Sequence, residues 1–241
     1  ISIMFKKKII GIACLCNNRA IGCNNNLIFR NKDELNFFKK TTESTNDPRK
    51  QNAVIMGRKT YESLPKKLEN RLNVVLSGTM ESYSSDKLLI GNDIDLLLKI
   101  LNSDPGIEAI YIIGGETIYK YFSDNDLYTH LILSIVNTPT ISYGDVFFPS
   151  IDFGDYNLNK QMDLVSKGKE IKTGVTCDIS YSTFCFSKTK ITSNIPFLNK
   201  LQINNGEYQY LRLLKKILNK GSVRQTRNSK TISLFGEKME F

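Results

Sequence analysis

Short apolar runs alternate with amphipathic stretches along this chain, and that alternation sets most of its elements. Residues 8–16 (KIIGIACLC) are apolar over too short a span for a helix, so they read as a buried first strand. Residues 17–26 are rich in Asn and Gly and read as a loop. Over 33–41, Leu35, Phe37 and Phe38 stand among charged positions at helical spacing, which predicts an amphipathic helix. Residues 42–51 are polar, and Asn46-Asp47-Pro48 marks a turn. Apolar runs at 54–56, 74–76, 88–90 and 109–113 predict further buried strands, with helices over 58–64, 94–102 and 116–122. From residue 129 onward, 129–136, 166–170 and 180–187 are strand-like with no helix between them. The sheet is therefore expected to begin parallel, with crossover helices, and to end antiparallel. Residues 188–206 read as a polar linker, and 207–221 as an amphipathic helix ended by Gly221. The sum is an α/β domain with a tail.

Two strand–glycine–helix units carry candidate chemistry. In the first, Val54-Ile55-Met56 runs into Gly57, expected to turn the backbone without a side chain in the way. Arg58, Lys59 and Thr60 follow at a helix start, where unpaired amides and the helix dipole suit an anionic phosphate. In the second, Ile112-Ile113 runs into Gly114-Gly115 and then Glu116-Thr117-Ile118-Tyr119. The carboxyl end of a strand in an open α/β sheet is where such sheets bind ligands.

Composition narrows the picture. At 241 residues, with 41% hydrophobic and 24% charged, the chain can bury a core without staples. No apolar run approaches the length needed to cross a bilayer. The five cysteines (14, 16, 23, 177 and 185) show no metal spacing, and His130 is the single histidine, so no metal is expected. Reduced thiols point to a cytoplasmic protein. Lys6-Lys7-Lys8 before an apolar run superficially imitates a signal peptide, but the run is short and reads better as a core strand. The net charge of +9 is uneven, because residues 188–241 hold eleven Lys/Arg against three Glu. That basic tail lacks clustered aromatics or a reader fold, which argues against nucleic acid. A start at Ile1 and a stop just after an apolar run read as a segment of a longer chain.

The string Met56-Gly57-Arg58-Lys59-Thr60, with Asn70-Arg71 and Val75-Leu76-Ser77 after it, resembles the middle of dihydrofolate reductase. Residues 20–29 resemble that family's mobile loop over the nicotinamide, whose usual ending is Gly-x-Leu-Pro-Trp. Here Asn25, Ile28 and Phe29 stand in place of Gly, Pro and Trp. Asn tolerates positive φ, so Asn25 is expected to keep the turn. Phe29 has no N–H to donate, and Ile28 lacks proline's stiffness. Gly144-Asp145-Val146-Phe147-Phe148-Pro149 resembles the Asp-x-x-Phe-Pro signature. The resemblance spans about residues 8–187. It implies an α/β fold with an eight-stranded, mixed, mostly parallel sheet flanked by helices, and NADPH-dependent reduction of dihydrofolate to tetrahydrofolate.

It also implies roles for individual residues. Glu34, five positions after Phe29, matches the family's active-site acid, which accepts two parallel hydrogen bonds from the pterin. Asp33 is the competitor and is expected to face solvent. Catalytic parts also fall to Ser134, a hydroxyl on a later strand, and to Phe29. Ile12, Leu35, Phe38, Leu68 and Ile113 are implied to contact the substrate, and Arg71 to grip its α-carboxylate. Ala13, Ile21, Gly22, Gly57, Arg58, Lys59, Thr60, Leu76, Ser77, Gly114, Gly115, Glu116, Thr117 and Tyr119 are implied to line the cofactor. NADPH over NADH rests on Arg58 and Lys59, since Gly78 lacks the basic side chain often found there.

Residues 207–211, with Gly221, Arg224, Arg227 and 233–236, resemble the opening of thymidylate synthase. The implied organisation is a reductase domain over 1–187, a linker over 188–206 and a synthase fragment over 207–241, as in bifunctional reductase–synthases. That family's catalytic cysteine lies far downstream of this pattern, so no synthase activity is expected here. A homodimer is expected only if a full synthase domain follows. The altered loop residues motivate a second reading, a drifted homologue that binds ligand or partner and turns over weakly. Two lesser readings are the related reductase of riboflavin synthesis, which lacks the Glu34–Arg71 pair, and a basic nucleic-acid binder.

Overall fold

The computed structural model describes residues 7–137, 143–188, 222–225 and 230–233. The chain divides into two compact units, Ile1–Ile195 and Pro196–Phe241. In the first unit the chain runs through β1 (Lys8–Cys16), β2 (Ala20–Gly22), β3 (Phe29–Asn31) and α1 (Lys32–Glu43). It continues through β4 (Gln51–Gly57), α2 (Arg58–Ser63), β5 (Arg71–Leu76), β6 (Tyr83–Ser84), β7 (Leu88–Gly91) and α3 (Ile94–Ser103). Next come β8 (Ile107–Gly114), α4 (Glu116–Asp124), β9 (His130–Val136), β10 (Val146–Phe147), β11 (Tyr156–Glu170) and β12 (Thr176–Lys188).

These strands build a ten-stranded sheet in the order β3-β11-β12-β9-β1-β8-β4-β5-β7-β6. Every pairing from β9 through β7 is parallel, whereas β12 on β9, β11 on β12, β3 on β11 and β6 on β7 are antiparallel. The central strands read as unbroken apolar runs because helices cover both faces of a parallel sheet. In β4, Val54, Ile55 and Met56 are wholly buried. Helix α3 turns Leu97, Leu98 and Leu101 inward and starts on an Asp93 side-chain cap. Among the parallel strands β1 is followed in chain order by β4, which lies on the far side of β8. In an open α/β sheet such a reversal marks where ligands bind, here the carboxyl ends of β1, β8, β4 and β5.

The eight long strands match the expected number, and the short edge strands β3 and β6 bring the sheet to ten. The strand expected from residue 166 starts ten residues earlier, at Tyr156. Asn157, Asn159, Lys160, Gln161 and Asp163 hide any apolar alternation there, and the segment is a strand because it pairs with β12 along its length. The 17–26 loop contains β2, which pairs with β10. Gly57 also differs from expectation: its φ of −79° suits any residue, and a Cβ would meet only Ile118 at an ordinary 3.5 Å.

In the second unit, β13 (Ser222–Gln225) and β14 (Lys230–Ser233) form an antiparallel hairpin. The expected helix over 207–221 and nearly all of the expected linker lie outside the described residues. Among the described residues no helix is long and apolar enough to cross a membrane. The five cysteines are free thiols.

Candidate active site

The candidate acid, Glu34, stands in the first turn of a helix whose start is fixed by the residue before it. Asn31 ends β3 and caps α1, its Oδ1 accepting from the backbone N–H groups of Asp33 at 2.9 Å and Glu34 at 3.1 Å. Its Nδ2 donates to Ser166 Oγ on β11 at 2.7 Å, which ties the helix start to the sheet. Asp33 is exposed, whereas Glu34 is half-buried and desolvation pushes its carboxyl up to about 7. Glu34 lies close enough to Cys14 and Tyr119 to help desolvation push both of those groups up as well. Tyr119 Oη donates to the Ile12 carbonyl at 2.8 Å, anchoring α4 to β1 beside the acid. Sequence reasoning did not single out Asn31, although Asn before a helix with two acids in its first turn is a capping signal.

Ser134 sits opposite Cys14 in the β1–β9 register and is buried. Its Oγ lies 2.9 Å from Thr183 Oγ1 on β12, and no hydrogen bond joins it to Glu34. Thr183 holds that hydroxyl instead, a partner that only strand register reveals.

Four of the expected substrate contacts come together. Ile12, Phe38, Leu68 and Ile113 pack into one apolar cluster with Tyr61, Leu64 and Val54. Leu68 is held by Asn73, whose amide donates to the Leu68 carbonyl at 2.9 Å and accepts from its N–H at 3.0 Å. Leu35 is not in that cluster. It is 37% exposed and lines a separate groove of about 430 Å³ with Arg30, Lys32 and Lys167. Arg71 opens β5 and is buried, its guanidinium donating to Glu69 O (2.8 Å), Thr42 Oγ1 (2.7 Å) and Glu43 Oε1 (3.2 Å). Burial lowers its pKa, and Glu43 and Glu69 oppose that shift.

The remaining candidates gather at two helix starts. Helices α1 and α3 have side-chain caps, but α2 at Gly57 and α4 at Gly115 have none. Gly115 has φ +89°, which favours glycine, and a Cβ there would lie 3.7 Å from Gly57 N. A Cβ on Gly114 would meet Thr60 Cγ2 at 2.6 Å, so β8 and α2 pass as closely as glycine allows. The exposed side chains of Arg58, Lys59, Glu116 and Thr117 surround these starts, and Arg58 is paired with Glu62 at 3.0 Å. Ser77 Oγ, past Leu76, accepts from the N–H groups of Thr79 and Met80. Two uncapped starts, bare backbone at Gly115 and nearby cations fit an anion such as a cofactor pyrophosphate.

The 20–29 loop is tight. Cys23 and Asn26 exchange backbone bonds of 2.9 and 3.0 Å around Asn24 (φ 51°) and Asn25 (φ 59°), a turn of the type that needs positive φ twice. The Gly144-Asp145 segment clamps it: Asp145 Oδ2 accepts from Asn24 N at 2.9 Å, and Asp145 N donates to Gly22 O. Ile21 and Gly22 lie in β2, which pairs with β10, and Ala13 is buried in β1. Ile28 is buried with Cys16 and Ala20, and Phe29 packs against both that cluster and the Val136–Tyr181 cluster.

Known proteins are similar to this chain in sequence. The chain is 42% identical over 113 residues to a dihydrofolate reductase of Drosophila melanogaster, covering 45% of this chain and 62% of the relative. It is 31% identical over 233 residues to a bifunctional dihydrofolate reductase-thymidylate synthase of Zea mays, covering 86% of this chain and 44% of that protein. A bifunctional dihydrofolate reductase-thymidylate synthase of Daucus carota is 29% identical over 255 residues, covering 95% and 48% respectively. The chain thus spans about half the length of these plant relatives. Residues 8–180 match the dihydrofolate reductase family over most of the sheet, so the chain belongs to that family.

Proposed function

We propose that this chain reduces 7,8-dihydrofolate to tetrahydrofolate with NADPH, serving one-carbon metabolism and thymidylate synthesis. The observation that carries the reading is a half-buried carboxyl, Glu34, pushed up to about 7 on the helix that packs Phe38 into the apolar Ile12–Leu68–Ile113 cluster. Such a group accepts parallel hydrogen bonds from the pterin's amino group and ring nitrogen and shares a proton with them. The apolar cluster packs on the flat ring and benzoyl group and excludes water. Arg71 meets the α-carboxylate of the tail. Gly57, Gly114 and Gly115, with the uncapped starts of α2 and α4, hold the pyrophosphate, and Arg58 and Lys59 meet the 2′-phosphate. NADPH, when bound, supplies the hydride; the ring nitrogen next to the reduced carbon takes its proton through water. Phe29 and Ile21 cover the site from the loop. Ser134 and Thr183 fix β9 and β12 behind Glu34.

Residues 207–241 are proposed as the opening of a thymidylate synthase domain without synthase activity of its own, joined to the reductase by 188–206. A dimer follows from a complete synthase domain, and the free thiols favour a cytoplasmic setting. The decisive experiment follows NADPH absorbance in the presence of dihydrofolate. Steady oxidation that needs both compounds supports the reading, and no oxidation with both bound leaves the weak-turnover homologue.

A further inference from the structure

We propose that Glu43 is a built-in competitor for Arg71, a carboxylate within the protein that sets how strongly the enzyme values its substrate's anionic tail. The proposal rests on the reductase reading above and adds a specificity residue to it.

Three of the guanidinium's five N–H groups have partners. Nε is held by the Glu69 carbonyl, Nη1 by Thr42 Oγ1 and Nη2 by Glu43 Oε1. The first two partners are fixed. Glu69 acts through its backbone, and Thr42 is buried, its own hydroxyl donating to the Phe38 carbonyl at 2.8 Å. Asn52 holds this turn as well, donating to the carbonyls of Thr42 and Ser44. Glu43 is different. It is the last residue of α1, its side chain is 20% exposed against 3% for Arg71, and only its carboxylate reaches the arginine.

A ligand carboxylate takes a guanidinium by two parallel bonds along one edge. The Nε edge is closed by Glu69 O, which leaves the Nη1–Nη2 edge, where the neutral Thr42 hydroxyl takes one N–H of Nη1 and the charged Glu43 one N–H of Nη2. An incoming carboxylate must therefore displace Glu43 or sit beside a like charge on the same cation. Either route subtracts from the affinity of a tailed pterin and leaves a tailless one untouched. Glu43 thus weakens selection for the anionic tail without entering the ring site.

The test compares Glu43→Gln with the unmutated chain, using dihydrofolate and 6-methyl-7,8-dihydropterin, which has no tail. Glu43→Gln should lower the KM for dihydrofolate roughly tenfold, as when one charge-assisted hydrogen bond is freed for the ligand. The KM for the tailless pterin should stay where it is. The dihydrofolate KM staying or rising, or both substrates shifting together, overturns the proposal. If Glu43→Gln does not fold, Glu43→Asp retracts the carboxylate by one methylene and should give the same contrast. Absence of turnover in the unmutated chain would count against the reductase reading alone. Calorimetric Kd values for folate and for pterin would then carry the contrast, and unequal gains favouring folate are required.

Discussion

Asn31 Oδ1 accepts the backbone N–H of Glu34 at 3.1 Å, so the residue that caps α1 also fixes the backbone of Glu34, the proposed acid. Removing it should loosen both. Asn31→Ala is expected to cost about 0.5–2 kcal/mol of stability through the lost cap. It should also lower turnover at saturating dihydrofolate, while NADPH affinity holds. Thermal unfolding with steady-state kinetics reads all three, and full turnover in a destabilised variant would refute the positioning role.

Glu34→Gln keeps the size of the side chain, loses the charge and turns one acceptor into a donor facing a donor. Turnover should fall by about 2.7–4 kcal/mol in transition-state terms, as for other lost charge-stabilising contacts. The exposed Asp33 should tolerate Asn with little change. The reverse outcome, with Asp33→Asn inactive and Glu34→Gln active, would move the acid by one residue.

The raised carboxyl also gives a signature in stability. Its folded value of about 7 stands above the ordinary 4.5, so between those values the folded protein binds the extra proton. Stability from this group is therefore present at low pH and is lost as pH rises from about 4.5 through 7. Asp47, Glu69, Glu108 and Glu170 are shifted down and act in the opposite sense at lower pH, so the comparison must be with Glu34→Gln. The stability gain of Glu34→Gln over the unmutated chain should grow from pH 5 to pH 8. A pH-independent difference in melting temperature would mean an ordinary carboxylate.

Gly114 and Thr60 make a second coupled pair. An alanine Cβ would fall 2.6 Å from Thr60 Cγ2, so Gly114→Ala should destabilise by about 1–3 kcal/mol. Adding Thr60→Ala removes the two nearest atoms and should recover part of that loss. No recovery would show that the close approach is not what demands glycine.

Cofactor choice can be shifted from two sides. Arg58→Ala with Lys59→Ala should erase most of a preference for NADPH over NADH. Gly78 has open space around its Cβ position, so Gly78→Arg should raise that preference about tenfold, the worth of one charged hydrogen bond. Equal affinity for both cofactors in the unmutated chain would overturn the assignment of Arg58 and Lys59.

Periodicity alone was enough for β1, β4, β8, α3 and α4, because each buries an apolar set at strand or helix spacing and that burial drives its formation. The family resemblance, through the spacing after Phe29, singled out Glu34 over Asp33, and Asp33 is the more exposed of the two. The polar first half of β11 carries no such signal; it becomes a strand only because β12 supplies its hydrogen-bond partners. The bond between Ser134 and Thr183 and the ion pair between Glu43 and Arg71 join residues 49 and 28 positions apart. Nothing local distinguishes Thr183 from any strand threonine, or Glu43 from any acid at the end of a helix. Apolar burial writes a period into the chain, whereas a polar contact depends on where two distant backbones arrive, and here the sheet order decides that.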